Sequence, residues 1–421
     1  MTAEAVVLNT RGVAIAADSA IFIDNLNRVY NTEEKIFQLS PRHSVGIMYY
    51  GSGSFMHIDW ELVLIEFSKI LEDRVLDTLE DYVNEFLIFL RDFEYNISKN
   101  ASYVDTQEAI FGDIVKYYFT RIKETYESHF SKFSKKENLS AEQKTDSLKI
   151  YLRRIRKLLE KEKSVSLYDG EILVKIYQEI IITTIQNVFG DYYINDALKE
   201  EASKIINYIF SKAEEYSWIH IDSFWLYTVF SHIECCPGIV FTGYGSKELF
   251  PSVIDFYIIG KFGDELYHTK PNKAELSQER KSIIGTYAQS DVMQTLIRGI
   301  DPYLENFIFG QLEKLNKGLI KIAGKEYKEK IEEKKEKFMD KIKNHKDDNY
   351  FLPLTKMIAS VSVNNLAEIA EALVTLTSLR RHISTVKETV GGPTDVAIIT
   401  KESGFVWVKR KMLNRMLAEQ R

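Results

Sequence analysis

Two short apolar runs open the chain, Ala5-Val6-Val7-Leu8 and Val13-Ala14-Ile15-Ala16-Ala17, separated by Asn9-Thr10-Arg11-Gly12. A polar loop ending in glycine predicts a β-hairpin, and continuous apolar runs without alternation predict strands buried on both faces. After the polar stretch from Asp24 to Asn27, Val29 to Leu39 reads as a third strand, Pro41-Arg42-His43 as a turn, and Ser44 to Tyr50 as a fourth strand ended by Gly51-Ser52-Gly53. From Phe55 the apolar spacing lengthens to three and four residues, through Trp60, Leu64 and Phe67 and then Tyr82, Phe86 and Phe89, which predicts amphipathic helices. Helical patterning continues to about Phe230, including a Lys-rich passage from Ser131 to Lys163.

Strand signals return at Gly238 to Gly243 and at Val253 to Thr269, with Gly260-Lys261-Phe262-Gly263 as the expected hairpin turn. A helical stretch from about Ser290 to Gln311 follows, then a Lys/Glu-rich helix from Lys325 to Lys346 with a narrow stripe of Tyr327, Ile331, Phe338 and Ile342. Its lysines are interleaved with Glu332, Glu333, Glu336 and Asp340, the pattern of a solvated helix and not of a nucleic-acid surface. The last helix spans about Asn364 to Ser384, and Gly391-Gly392-Pro393 leads into strands at Asp395 to Thr400 and Phe405 to Lys409.

The order strands, helices, strands, helices, strands, with hairpins in place of βαβ crossovers, predicts an α+β fold of antiparallel sheets covered by helices. At 421 residues the chain is long enough for two or three domains, but no Pro/Ser-rich linker divides it. The expected organisation is therefore one core, built from residues 1–95, 236–311 and 361–421, with a helical insertion at 96–235 and a Lys/Glu-rich insertion at 312–360. A 45% hydrophobic and 28% charged composition excludes disorder, and a net charge of -6 gives no whole-chain attraction for nucleic acid or anionic membrane. No stretch approaches the roughly 18 apolar residues of a membrane span. The adjacent cysteines Cys235 and Cys236 point to a reduced chain with structural thiols, hence a cytoplasmic one. The N-terminus carries no targeting signal, which places Thr2 close to the mature start.

The eight histidines offer no pair at the spacing of a metalloprotease helix. Gly51-Ser52-Gly53 lacks the third glycine of a dinucleotide fingerprint, Gly245-Ser246-Lys247 lacks the remainder of a P-loop, and no G-x-S-x-G elbow is present. No metal and no cofactor are expected.

What remains is Thr2 at the head of the first strand, Asp18 in Ala16-Ala17-Asp18-Ser19, Lys35 in Glu34-Lys35-Ile36-Phe37-Gln38-Leu39, Gly51 after the fourth strand, and the late Gly391-Gly392-Pro393-Thr394-Asp395. Together these resemble the catalytic β subunits of proteasomes, members of the N-terminal-nucleophile hydrolases. With Thr2 as the mature N-terminal threonine, Asp18 falls at the family's acidic position without a gap and Lys35 at its lysine with one inserted residue. The resemblance covers about the first sixty and the last sixty residues well and the region from Gly238 to Asp301 loosely. It implies a four-layer αββα sandwich with large helical insertions, catalysis by Thr2, Asp18, Lys35 and Gly51, and substrate contacts from Ala20, Tyr49 and Gly53. It also implies a peptide or other amide substrate and homo-oligomeric assembly. Two supporting positions depart from the family: Gln289 or Ser290 stands where it has a serine, and Lys387-Glu388-Thr389-Val390 replaces its acid and serine unless a one-residue shift brings in Glu388.

The residues carry the chemistry themselves. A threonine hydroxyl needs a base, and a free α-amine with an ordinary pKa near 8 supplies one on the same residue. A lysine ammonium beside that amine lowers its pKa, an aspartate holds the lysine charged, and a glycine N–H can bind the oxyanion. Singly, Asp18 reads as a strand-end residue, Lys35 as a surface lysine, Gly51 as a strand-to-helix joint and Tyr49 as a core aromatic. Their joint spacing from Thr2 favours a hydrolase over the alternatives, a non-catalytic assembly protein of the same kind or a regulator that binds a partner through its helical insertions.

Overall fold

The computed structural model describes residues 2–23, 28–30, 34–93, 103–130, 141–159, 170–190, 192, 194–211, 236–383 and 390–411. Strands β1 (Ala3–Asn9) and β2 (Gly12–Ala17) form the N-terminal hairpin, with Glu4 opposite Ala17 and Asn9 opposite Gly12. Every residue of both is buried, so neither shows the alternation of a half-exposed strand. The buried Asn9 amide donates to the carbonyls of Ile358 (2.8 Å) and Val361 (3.0 Å), which offsets its loss of water.

β3 (Ile21–Ile23) pairs with β4 (Arg28–Tyr30), whereas β5 (Ile36–Gln38) pairs with β6 (Val45–Tyr50). The single strand expected from Val29 to Leu39 is therefore two strands in different sheets, because Asn31-Thr32-Glu33-Glu34 offers no apolar side chain to any core. A ribbon of β7 (Ser54–Phe55) and β8 (Ile58–Asp59) precedes α1 (Trp60–Leu71) and α2 (Leu79–Asp92), the latter started by a Thr78/Asp81 capping box. The helices α3 (Tyr103–Phe130), α4 (Ala141–Leu159), α5 (Gly170–Ile176), α6 (Gln178–Val188) and α7 (Asp196–Ser211) follow. The helical patterning expected beyond Ser211, Cys235 and Glu388 lie outside the described residues.

The chain then forms β9 (Gly238–Gly243), β10 (Ser252–Phe262), β11 (Glu265–His268), β12 (Asn272–Glu275) and β13 (Ser282–Ala288). The expected turn at Gly260 to Gly263 moves later: Gly260 to Phe262 stay in β10, whose register on β11 shifts between Ile258 and Gly260, and the chain reverses at Gly263-Asp264. β12 and β13 are additional to the sequence expectation. The helices expected from Ser290 to Gln311 are α8 (Asp291–Arg298) and α9 (Pro302–Ala323), which runs on past Gln311; a left-handed Gly299 (φ 73°) and an Asp301 N-cap separate them. α10 (Lys328–Lys346), α11 (Leu352–Ser360) and α12 (Val363–His382) lead to β14 (Asp395–Thr400) and β15 (Gly404–Lys409).

The strands form one five-stranded sheet in the order β13-β1-β2-β14-β15 and a second in the order β11-β10-β9-β6-β5, with β12 also on β10. Every pairing in them is antiparallel. Alternation along β1 separates two cores. Val6 and Leu8 join Met48, Tyr50 and Val240 of the second sheet, whereas Ala3, Ala5 and Val7 meet Leu366, Ala370 and Val374 of α12. The opposite face of the second sheet packs Tyr49, Phe241 and Phe256 on Trp60, Phe67 and Phe86. Each such side chain contributes about 1.5–3 kcal/mol on burial. Helices α3 to α7 enclose a further cluster that reaches the second sheet through Ile259, Phe262 and Tyr267. The result is an α+β fold in which β1 is covered on both faces, and Thr2 stands at its head.

Candidate active site

The hairpin register decides which side chains meet at Thr2. Pairing Glu4 with Ala17 returns the chain so that the Asp18 N–H donates to the Ala3 carbonyl (3.2 Å). The Asp18 carboxylate then turns back on the strand end. Its Oδ1 accepts from the Thr2 hydroxyl (2.7 Å) and the Ala3 N–H (3.0 Å), and its Oδ2 from the N–H groups of Gly391 (2.9 Å) and Ala20 (3.3 Å).

Lys35 arrives from the other sheet. It stands immediately before β5, where its carbonyl accepts from the Tyr49 N–H of β6 (3.3 Å). Its ammonium donates to Asp18 Oδ1 (2.9 Å), the Ala20 carbonyl (2.6 Å) and Thr2 Oγ1, so all three hydrogens have acceptors. Thr2, Asp18 and Lys35 are only 3%, 1% and 5% exposed. An ion pair this buried adds little net stability but is expensive to break, because removing one partner strands the other charge. The hydroxyl lies between a fixed ammonium, which stabilises negative charge developing on Oγ1, and a fixed carboxylate that holds the ammonium in place.

Gly51 follows β6 at φ 84°, and a Cβ there would lie 2.7 Å from the Cys236 carbonyl oxygen. Only glycine fits that conformation and that space. Ala20 contributes its backbone, holding the lysine and the aspartate together. Gly53 accepts from the Trp60 N–H (3.1 Å) and so anchors the start of α1. Tyr49 is buried, its ring beside Trp60 and its hydroxyl donating to the Glu34 carbonyl (2.7 Å). Just past Gly51, a cavity of about 150 Å³ opens among Ser52, Phe55, His57, Ile110, Asp113 and Ile258. The turn on its rim holds Met56 (φ 50°) and His57 (φ 64°) in left-handed conformations that such residues adopt at a cost of about 1–3 kcal/mol each.

One neighbour of the triad escaped the sequence reading. Glu4, two residues along the strand on the inter-sheet face, is fully buried, and neither carboxyl oxygen has a hydrogen-bond partner among the described residues. Burial pushes its pKa well above the ordinary carboxyl range; the Lys35 ammonium opposes that and the Asp18 carboxylate reinforces it. Glu4 stands beside the ion pair, directly across the ladder from Tyr287. The signal was a single acid inside an otherwise apolar strand. Gly391, in the late Gly391-Gly392-Pro393 stretch, also reaches the triad: its N–H donates to Asp18 Oδ2 from the segment before β14.

Among the described residues, no group of three or more His, Cys, Asp or Glu side chains is placed to hold a metal ion, and no helix is long and apolar enough to cross a membrane. No protein-family model matches the sequence, and no curated protein matches it.

Proposed function

We propose that the chain is a proteasome-like N-terminal-nucleophile hydrolase with a four-layer αββα core, cleaving peptide or other amide bonds through Thr2. The observation that carries the reading is the convergence of Thr2 Oγ1, Asp18 Oδ1 and Lys35 Nζ at the head of a doubly buried strand. Three residues from two sheets enclose one hydroxyl.

Removal of Met1 frees the Thr2 α-amine as the base. The hydroxyl proton passes to the amine as Oγ1 bonds to the substrate carbonyl carbon, and the carbonyl π electrons move to oxygen. The Gly51 N–H binds that oxyanion, a contribution of about 3–4 kcal/mol for one such donor. Collapse of the tetrahedral adduct breaks the C–N bond. The leaving amine takes the proton from the α-ammonium, and an ester on Thr2 remains. Water, deprotonated by the same amine, hydrolyses the ester to a carboxylic acid and restores Thr2. Lys35 stays charged throughout, held by Asp18, and keeps the amine unprotonated at neutral pH.

Intact-mass spectrometry of protein made without an N-terminal tag, before and after an electrophile that captures N-terminal threonine, tests this reading. The expected mass lacks Met1 and gains one adduct, which the Thr2→Ala and Lys35→Ala proteins do not form. A processed, folded chain that takes no adduct, or undiminished hydrolysis by Lys35→Ala, sinks it.

A further inference from the structure

Side chains alternate along β1, so Thr2 and Glu4 share the face that Val6 and Leu8 turn to the second sheet, roughly 7 Å apart along the strand. An unpartnered acid at that place costs stability that a further apolar side chain in line with Val6 and Leu8 would not. Its surroundings come from every element packed there. β13 supplies Tyr287 at the paired position, β6 supplies Tyr50, stacked on Tyr287 at 5.8 Å, and β10 supplies Tyr257, edge-on to Tyr50 at 5.7 Å, with Asp255 beyond. The end of β2 and the start of β5 supply the charges of Asp18 and Lys35. One lysine therefore faces two carboxyl groups. Its three hydrogens are already taken by Asp18, Thr2 Oγ1 and the Ala20 carbonyl, so Glu4 receives none of them. With a proton on Glu4 the group Lys35, Asp18 and Glu4 is neutral; without it, one uncompensated negative charge sits a single pleat from Thr2.

We propose that Glu4 is a positioning residue for the reaction of Thr2: protonated, it leaves the field of Lys35 to Thr2, and ionised, it cancels that field and silences the nucleophile. The inference rests on the hydrolase reading and adds a residue to its site. A negative charge at Glu4 acts twice against the reaction. It raises the proton affinity of the Thr2 α-amine, which then stays an ammonium and cannot serve as base, and it opposes the negative charge that develops on Oγ1 during attack. At about 7 Å and an effective dielectric constant near 20, one charge shifts either equilibrium on the order of 50-fold. Burial favours the protonated form in the resting chain, with the Lys35 ammonium opposing it. The strand thus carries nucleophile and off-switch two residues apart.

The test is the rate at which a small vinyl sulfone modifies Thr2 in the full chain lacking Met1, followed by peptide mapping from pH 5 to pH 9. Oγ1 adds to the β-carbon of the sulfone, and the proton it gives up ends on the α-carbon. The wild-type rate should rise as the amine loses its proton and then fall at least tenfold as Glu4 ionises. Glu4→Gln and the apolar Glu4→Met, each checked for an unchanged circular dichroism spectrum, should rise and stay level. A merely structural role would scale the rate equally at every pH. A wild-type rate that stays level to pH 9 overturns the proposal, even if neither variant folds, and so does a fall that persists in either folded variant. Both results leave the hydrolase reading standing. A processed, folded wild type that is not modified at Thr2 at any pH sinks that reading, and this inference with it.

Discussion

Replacing Glu4 by glutamine should flatten part of the pH dependence of stability, in a direction that the burial of this residue determines. In the folded chain burial favours the protonated form of Glu4, whose carboxyl oxygens have no hydrogen-bond partner among the described residues. In the unfolded chain it titrates near the ordinary value of about 4.3. A folded-state pKa raised above the unfolded one favours folding fully below that value and loses the advantage as pH rises through the folded pKa. Above pH 5, unfolding therefore releases a proton, and each further pH unit removes about 1.4 kcal/mol. As pH rises above the ordinary carboxyl range the wild type should lose stability steadily relative to Glu4→Gln, which has the same shape and no titration. Urea unfolding of both proteins at pH 5, 6 and 7 measures the difference, and an unchanged m-value shows that the folded states are comparable. A constant difference across that range would refute the reasoning, since it would mean that Lys35 attracts the Glu4 carboxylate strongly enough to keep it ionised inside the sheet sandwich.

Lys35→Ala should cost about 3–5 kcal/mol, because it leaves the Asp18 charge buried without its cation. Adding Asp18→Asn should recover part of that loss in a double-mutant cycle. Asp255, bonded to Asn272 at 3.2 Å and pushed by burial up to about 6, should give a second pH signature. The stability of the wild type relative to Asp255→Asn should fall by roughly 3 kcal/mol from about pH 4 to pH 6 and then level off; a flat difference there would show that this carboxylate is solvated.

The N-terminal half of the candidate site was legible because its geometry is local. A two-residue turn in Asn9-Thr10-Arg11-Gly12 forces Asp18 back to the end of β1, so hairpin spacing alone places an acid beside Thr2. Lys35 was legible only through the resemblance, because its approach depends on β5 pairing with β6 in the second sheet. Tyr49 illustrates the limit: its position on β6 follows from the strand pattern, but its place beside Trp60 depends on where α1 packs.

Helix and strand type, the antiparallel hairpins and the burial of β1 and β2 on both faces were determined by the sequence itself, since apolar period and turn chemistry act over a few residues. The tertiary structure alone decided that β13, some 280 residues downstream, completes the sheet beside Thr2. It also decided that Gly391 donates to Asp18 and that Glu4 has no hydrogen-bond partner among the described residues. Each of these depends on which distant backbone occupies the neighbouring space, and a side chain's environment, unlike its period, is not a property of the segment that carries it.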